Sequence, residues 1–169
     1  MDFKTLKGLL KASTETFANN KFLCIINGSH YTFKTFGEKG KEIAALLHKN
    51  GVKVGDRIGI LCQSMPNWGV SYFAVTTASM VAVPILPDFT GAELDLIIEH
   101  SEAKAILVSD KLYAKLSKTV TEKLNIVIRT KGLNAIVKHV SQRAEKRIPQ
   151  PEDIAAIIYT SGTTSKPKG

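Results

Sequence analysis

Residues 57–109 read RIGILCQSMPNWGVSYFAVTTASMVAVPILPDFTGAELDLIIEHSEAKAILVS. Three short apolar runs, RIGILC, VAVPIL and KAILVS, are separated by a Pro66-led stretch to about Met80 and by a second from about Gly91 to His100. The runs have the length of buried strands and the separators that of amphipathic helices, so the stretch predicts consecutive βαβ units. Such units give an α/β fold: a mainly parallel sheet with helices on both faces. Downstream the rhythm predicts a helix over 110–118, a strand at LNIVIR, a helix near 132–140 and a last strand at IAAIIYT. Pro84 lacks a backbone donor, which puts its strand at an edge, an end or a bulge.

Upstream the pattern changes. Phe3, Leu6, Leu9 and Leu10 stand near helical spacing and predict a leading helix. FLCII and HYTF flank Asn27-Gly28, a pair that tolerates the positive φ of a tight turn, so residues 22–33 read as a β-hairpin. Thr35 offers a capping hydroxyl with Glu38 three residues on, and Asn50-Gly51 stops the helix that follows. The resulting organisation is a leading helix and hairpin over 1–33, a βαβ core over 34–140, a polar connector over 141–152, and a strand with a terminal loop over 153–169.

With 169 residues, 44% of them hydrophobic and 22% charged, the composition is that of a globular domain and excludes disordered, collagenous and membrane-embedded classes. No apolar run nears the roughly 20 residues of a membrane span, and the opening MDFKTLKGLLKAST has no secretory signature, which predicts a cytoplasmic protein. Cys24 and Cys62 lie in apolar runs with no pairing or metal spacing, so both read as buried, reduced thiols. The net charge of +8 is local: from Lys111 to Arg147 there are ten basic residues against two acidic, and elsewhere thirteen of each cancel. A basic face suits a phosphate backbone, an anionic lipid surface or an acidic partner, and is equally a solvated face. With one aromatic, Tyr113, and no recognition motif in that stretch, nucleic acid is not expected as a partner, while peripheral membrane contact stays open.

The chemistry concentrates in the last eleven residues, YTSGTTSKPKG, which follow an apolar strand. Gly162 lets backbone approach a ligand; Ser161, Thr163, Thr164 and Ser165 carry hydroxyl donors; Lys166 and Lys168 add charge around the stiff Pro167. Such a loop suits a polyphosphate. It is not a Walker A loop, because Gly162 is followed by TTSK and then Pro-Lys-Gly. By composition alone, a flexible polar loop is an equal alternative.

The string Tyr-Thr-Ser-Gly-Thr-Thr-x-x-Pro-Lys-Gly resembles the phosphate-binding signature of the adenylate-forming superfamily of acyl- and aryl-CoA synthetases, adenylation domains and luciferases. The resemblance extends over residues 22–169, through GVKVGDRI, MPNW and VAVPILPDF, with 111–150 similar in pattern only. It implies activation of a carboxylic acid with ATP and Mg to an acyl-adenylate, then transfer to a thiol such as coenzyme A. VPILPDF and IIEHSEAKAI are most similar to long-chain fatty-acid ligases, implying a fatty acid substrate. The implied nucleotide phosphate-binding residues are Thr160, Ser161, Gly162, Thr163, Thr164, Ser165, Lys166, Pro167, Lys168 and Gly169, with Lys168 foremost. Ser165 departs from the pattern, which usually has Gly there. Lys166 stands at a variable position and steers phosphate rather than binding it at a fixed point.

In that superfamily the adenine pocket, most of the acyl pocket and a small domain bearing the adenylation lysine follow this loop. The resemblance therefore implies a leading piece whose partner is the missing C-terminal part of the same enzyme, with no catalytic residue of its own, inactive alone and prone to self-association. The alternative is a stand-alone, non-catalytic module that binds a nucleotide or a protein. His30, His48, His100 and His139 have no metal-ligand spacing and read as structural or surface residues, so no metal site is expected. Glu93, Asp95, Glu99 and Glu102 read as the wet side of an amphipathic helix, and Trp68, Tyr72 and Phe73 as core.

Overall fold

The computed structural model describes residues 3–26, 28–124, 126–130, 134–137, 147–160 and 169. Its elements in chain order are α1 (Leu6–Thr16), β1 (Lys21–Cys24), β2 (His30–Thr32), α2 (Phe33–Lys49), β3 (Arg57–Leu61), α3 (Pro66–Thr76), β4 (Val81–Pro84), α4 (Gly91–Ser101), β5 (Ala105–Val108), α5 (Asp110–Tyr113), α6 (Lys118–Lys123), β6 (Ile126–Arg129) and β7 (Asn134–Val137).

The predicted α/β sheet is there. Five strands lie in the order β4-β3-β5-β6-β7, with β3 parallel to β4 and β5, and β5 parallel to β6. Side chains alternate between its two faces. Ile58, Ile60, Ala105, Leu107, Ile126 and Ile128 pack with Phe36, Ile43 and Leu47 of α2 and with Val70, Ala74 and Val75 of α3. Leu61, Ile106, Val108 and Val127 pack on the other face with Leu94, Ile97 and Ile98 of α4 and Val120 of α6. The period of two along each strand thus produces two cores, and each fully buried Ile or Leu contributes about 1.5–3 kcal/mol of transfer energy.

The boundaries show why individual residues matter. Thr90 caps α4 and Glu93 returns the bond to the Thr90 backbone, a reciprocal pair that fixes where the helix starts. Pro66 opens α3 at its first position, where a missing N–H costs nothing. Pro84 is the last residue of β4, opposite Ile60, so its strand end needs no donor from it. Gly51, at φ +84°, follows the C-cap Asn50 and ends α2 as expected.

Four expectations are corrected. The helix near 132–140 is instead β7 at Asn134–Val137, antiparallel to β6; NAIV is short and β-branched at its end, and pairing with an open sheet edge outweighs its weak helical pattern. The helix over 110–118 is two short ones, α5 and α6, with Ser117 capping the second. The cap of α2 is Thr32, whose hydroxyl accepts from Thr35 N–H while Thr35 returns the bond, so the helix begins at Phe33. In the hairpin, β1 and β2 pair antiparallel, and the Ile25 N–H donates to Ser29 carbonyl across the loop. Gly28 does not take a positive φ there. Its missing side chain matters because a Cβ would lie 3.1 Å from that of Ile25; Asn27 lies outside the described residues. The hairpin is tied to the core by aromatic contacts, Phe22 stacking on Phe33 at 4.3 Å and meeting Phe36 edge-on at 4.9 Å.

Candidate nucleotide-phosphate site

The segment leading to the terminal motif runs beside β4. Ala82 N–H donates to the Ala155 carbonyl and Ile157 N–H donates to the Ala82 carbonyl, both at 2.9 Å, giving a parallel bridge between Ala82 and Ala156. The predicted strand at IAAIIYT therefore pairs with β4 through a single bridge at Ala156 rather than a full ladder. Its direction is the decisive fact. Because it runs parallel to β4, its end at Tyr159 and Thr160 arrives on the same side as the carboxyl ends of β3, β4, β5 and β6. That side of an open α/β sheet is where ligands bind, in the crevice beyond the strand ends.

Tyr159 is the pivot of this segment. It is 3% exposed and packs in the second core, with Ile157 beside it. Its hydroxyl lies 2.6 Å from Nδ1 of His100, and the two rings meet edge to face at 5.6 Å, so α4 holds the base of the motif. Burial pushes the Tyr159 phenol above its ordinary range. Gly169, ten residues on, rests against the same ring: a Cβ there would come within 2.7–2.9 Å of three ring carbons. Both ends of the stretch 160–169 thus lie at Tyr159, and glycine is required at the far end because any side chain would collide with the ring.

Of the expected phosphate-binding residues, the structure describes Thr160, which is exposed, and Gly169, which is exposed and on Tyr159. Ser161, Gly162, Thr163, Thr164, Ser165, Lys166, Pro167 and Lys168 lie outside the described residues. Sequence reasoning did not single out the Tyr159–His100 pair. His100 was one of four scattered histidines, and only the register between α4 and the last segment brings it to Tyr159, 59 positions away.

The crevice floor is polar at neighbouring strand ends. Asn67, in the first turn of α3, donates to the Thr130 carbonyl at 3.3 Å and accepts from the Tyr31 hydroxyl at 3.0 Å. Arg129 at the end of β6 pairs with Asp110 at 2.5 Å and lies over the Tyr113 ring at 5.3 Å. Ser109 is 3% exposed and its hydroxyl has no hydrogen-bond partner among the described residues. Cys62, just past β3, is buried and its thiol is pushed up to about 11 by burial. Cys24 is exposed, so the expectation of two buried thiols holds only for Cys62. The excess of basic residues is partly met locally, since Lys123 pairs with Glu99 and Arg147 with Asp153 in addition to Arg129 with Asp110.

Among the described residues no group of three His, Cys, Asp or Glu side chains is placed to hold a metal ion, and no helix is long and apolar enough to cross a membrane.

Comparison with known proteins identifies the relationship. The profile of the AMP-binding enzyme family matches residues 10–169. Tyrocidine synthase 2 of Brevibacillus parabrevis is 31% identical over 140 residues, covering 83% of this chain and 4% of that protein. Long chain acyl-CoA synthetase 5 of Arabidopsis thaliana is 27% identical over 191 residues, covering 95% and 29%. Among solved structures, the long-chain-fatty-acid-CoA ligase FadD1 of Archaeoglobus fulgidus superposes with a TM-score of 0.76 at 24% identity, over 98% of this chain and 36% of that one. The last likeness shows the fold. The chain spans less than a third of each of these two relatives.

Proposed function

We propose, from the premise that this chain belongs to the AMP-binding enzyme family, that it supplies the triphosphate-binding part of an ATP-dependent acid-thiol ligase. The parent enzyme activates a carboxylate as an acyl-adenylate and passes the acyl group to coenzyme A. A long-chain fatty acid is the substrate class this reading favours, and the similarity to an acyl-CoA synthetase named for long chains supports it. ATP would enter as its magnesium complex, and other residues of the parent enzyme would supply the adenine and acyl pockets. The cytoplasm is the compartment in which such a reaction would draw on ATP and coenzyme A.

The observation that supports the proposal is the arrival of Tyr159 and Thr160, from which the motif leads, at the carboxyl end of the parallel sheet, with Gly169 against Tyr159. In this reading the backbone N–H groups and the hydroxyls of Thr160, Ser161, Thr163 and Thr164 hold the β- and γ-phosphates. Lys168 sets its ammonium against the charge that gathers on the leaving pyrophosphate. Donors fixed in advance at such a position act mainly on the transition state, and losing one costs about 3–4 kcal/mol, or 10²–10³ in rate.

The test is ATP–pyrophosphate exchange by the protein that carries this chain, with carboxylic acids of graded length. Lys168→Ala should reduce exchange by about 10²–10³-fold while leaving the urea midpoint unchanged. Exchange that is indifferent to Lys168→Ala would refute the assignment of the loop. Exchange supported by aryl or amino acids but not by fatty acids would retain the ligase and discard the substrate class.

A further inference from the structure

On the far side of α2 from the sheet lies a trough of about 890 Å³ between α1 and α2, lined also by Thr77, Ala78 and Arg147. Its volume is in the range of small-molecule sites. It follows one face of α2 from Lys34 to His48, a run of about 21 Å at the helical rise. Much of the lining is small or apolar: α2 contributes Gly37, Gly40, Ala44 and Ala45, and α1 contributes Leu10. No residue of α1 is fully buried, although the helix is amphipathic, so it rests on α2 without sealing the space between them.

The rim is cationic. Lys7, Lys11, Lys34, Lys41 and Arg147 line the trough against Glu15 and Glu38. Lys11 is engaged with Glu15 at 3.8 Å and Arg147 with Asp153 at 2.5 Å. Lys7, Lys34 and Lys41 have no ion-pair partner among the described residues. At the C-terminal end of α2, His48 also lines the space and is only 6% exposed. Its Nδ1 lies 3.1 Å from the Val52 carbonyl, which fixes the proton on that nitrogen and leaves Nε2 with no partner among the described residues. An apolar trough below three ammonium groups that have no ion-pair partner among the described residues is an arrangement that a ligand with a long hydrocarbon body and an anionic head would complete.

We propose that this trough binds a single-chain anionic amphiphile, its hydrocarbon along Ala44, Ala45 and Leu10 and its head at Lys34 and Lys41. The site is separate from the motif at 160–169, and the inference does not rest on the adenylation reading. Lysine stems extend the apolar wall while their ammonium groups reach the head, so length and charge are both recognised.

Calorimetric titration of the chain with dodecanoate, kept below its micellar concentration, tests this. One equivalent should bind; acetate and dodecyltrimethylammonium should not. Ala44→Trp, which fills the floor from a half-buried position, should weaken binding at least about tenfold. The exposed pair Lys34→Glu with Lys41→Glu should do so to a similar extent with no change in the circular dichroism spectrum, so the test survives if Ala44→Trp fails to fold. Lys168→Ala should leave dodecanoate binding unchanged. Absence of binding, equal affinity for the cationic amphiphile, indifference to both trough variants, or binding to anionic vesicles without binding of the monomer would each overturn the proposal.

Discussion

Two stretches of apolar sequence reach the same end of the sheet by different means. β3, with the sequence RIGIL, is paired on both sides, through four residue pairs with β4 and four with β5, and buried on both faces, Ile58, Ile60 and Leu61 being fully covered. The segment 154–160, with the similar sequence IAAIIYT, has one bridge to β4, leaves Ile154 and Ile158 about two-thirds exposed, and is anchored by Tyr159. Strand-like sequence is thus not sufficient for a buried strand. The difference separates two duties, since β3 holds the fold together while 154–160 leads to the terminal motif and is fixed at a point.

Matched substitutions break the comparison most sharply. Ile60→Ala removes side-chain atoms from a fully packed core and should lower stability by about 2–5 kcal/mol. Ile158→Ala, at 67% exposure, should stay within about 0.5 kcal/mol of the parent. Urea unfolding followed by circular dichroism measures both; equal losses would mean that the last segment is part of the cooperative core and that the contrast is false.

The two cysteines sharpen the same point by pH. The Cys62 thiol, just beyond β3, is raised by burial from 9.0 to about 11, so the folded state keeps its proton over a range in which the unfolded chain has lost it. The stability this contributes is fully present below pH 9 and is lost as pH rises through about 11. A two-unit displacement corresponds to about 2–3 kcal/mol at most. Cys62→Ala should flatten that part of the alkaline unfolding curve, and Cys24→Ala, at an exposed site of the hairpin, should leave it as it is. A curve that Cys62→Ala does not alter would mean that the thiol ionises without opening the sheet.

The contrast also explains what could be foreseen. The strands β3, β4, β5 and β6 were legible because hydrophobic runs of four to six residues, bounded by turn residues, have few alternatives in a chain of this length. NAIV at 134–137 was not, because a short stretch takes the structure of whatever edge it meets, and the edge is β6. The motif at 160–169 was legible as chemistry, from its glycine, hydroxyls and lysines, but its anchor was not. No local pattern links Tyr159 to His100; the link needs the parallel placement of the last segment and the register of α4. The trough between α1 and α2 was equally invisible, since small residues on one helix face signify close packing as readily as open space, and the choice depends on how α1 lies.

The anchor is the smallest effect and the most diagnostic. Tyr159→Phe keeps the ring against Gly169 and removes the hydroxyl from His100 Nδ1, which should cost about 1 kcal/mol in global stability. The informative readout is local: amide hydrogens of Ala155 and Ile157 to Tyr159 should exchange faster while those of β3 and β5 hold their protection, because the bond ties only the last segment to α4. His100→Ala should reproduce the loss, and the double variant should add little to either, the interaction energy being shared by two groups in contact. Fully additive losses would mean that Tyr159 and His100 stabilise the protein separately, and that something other than this pair holds the last segment at the carboxyl end of the sheet.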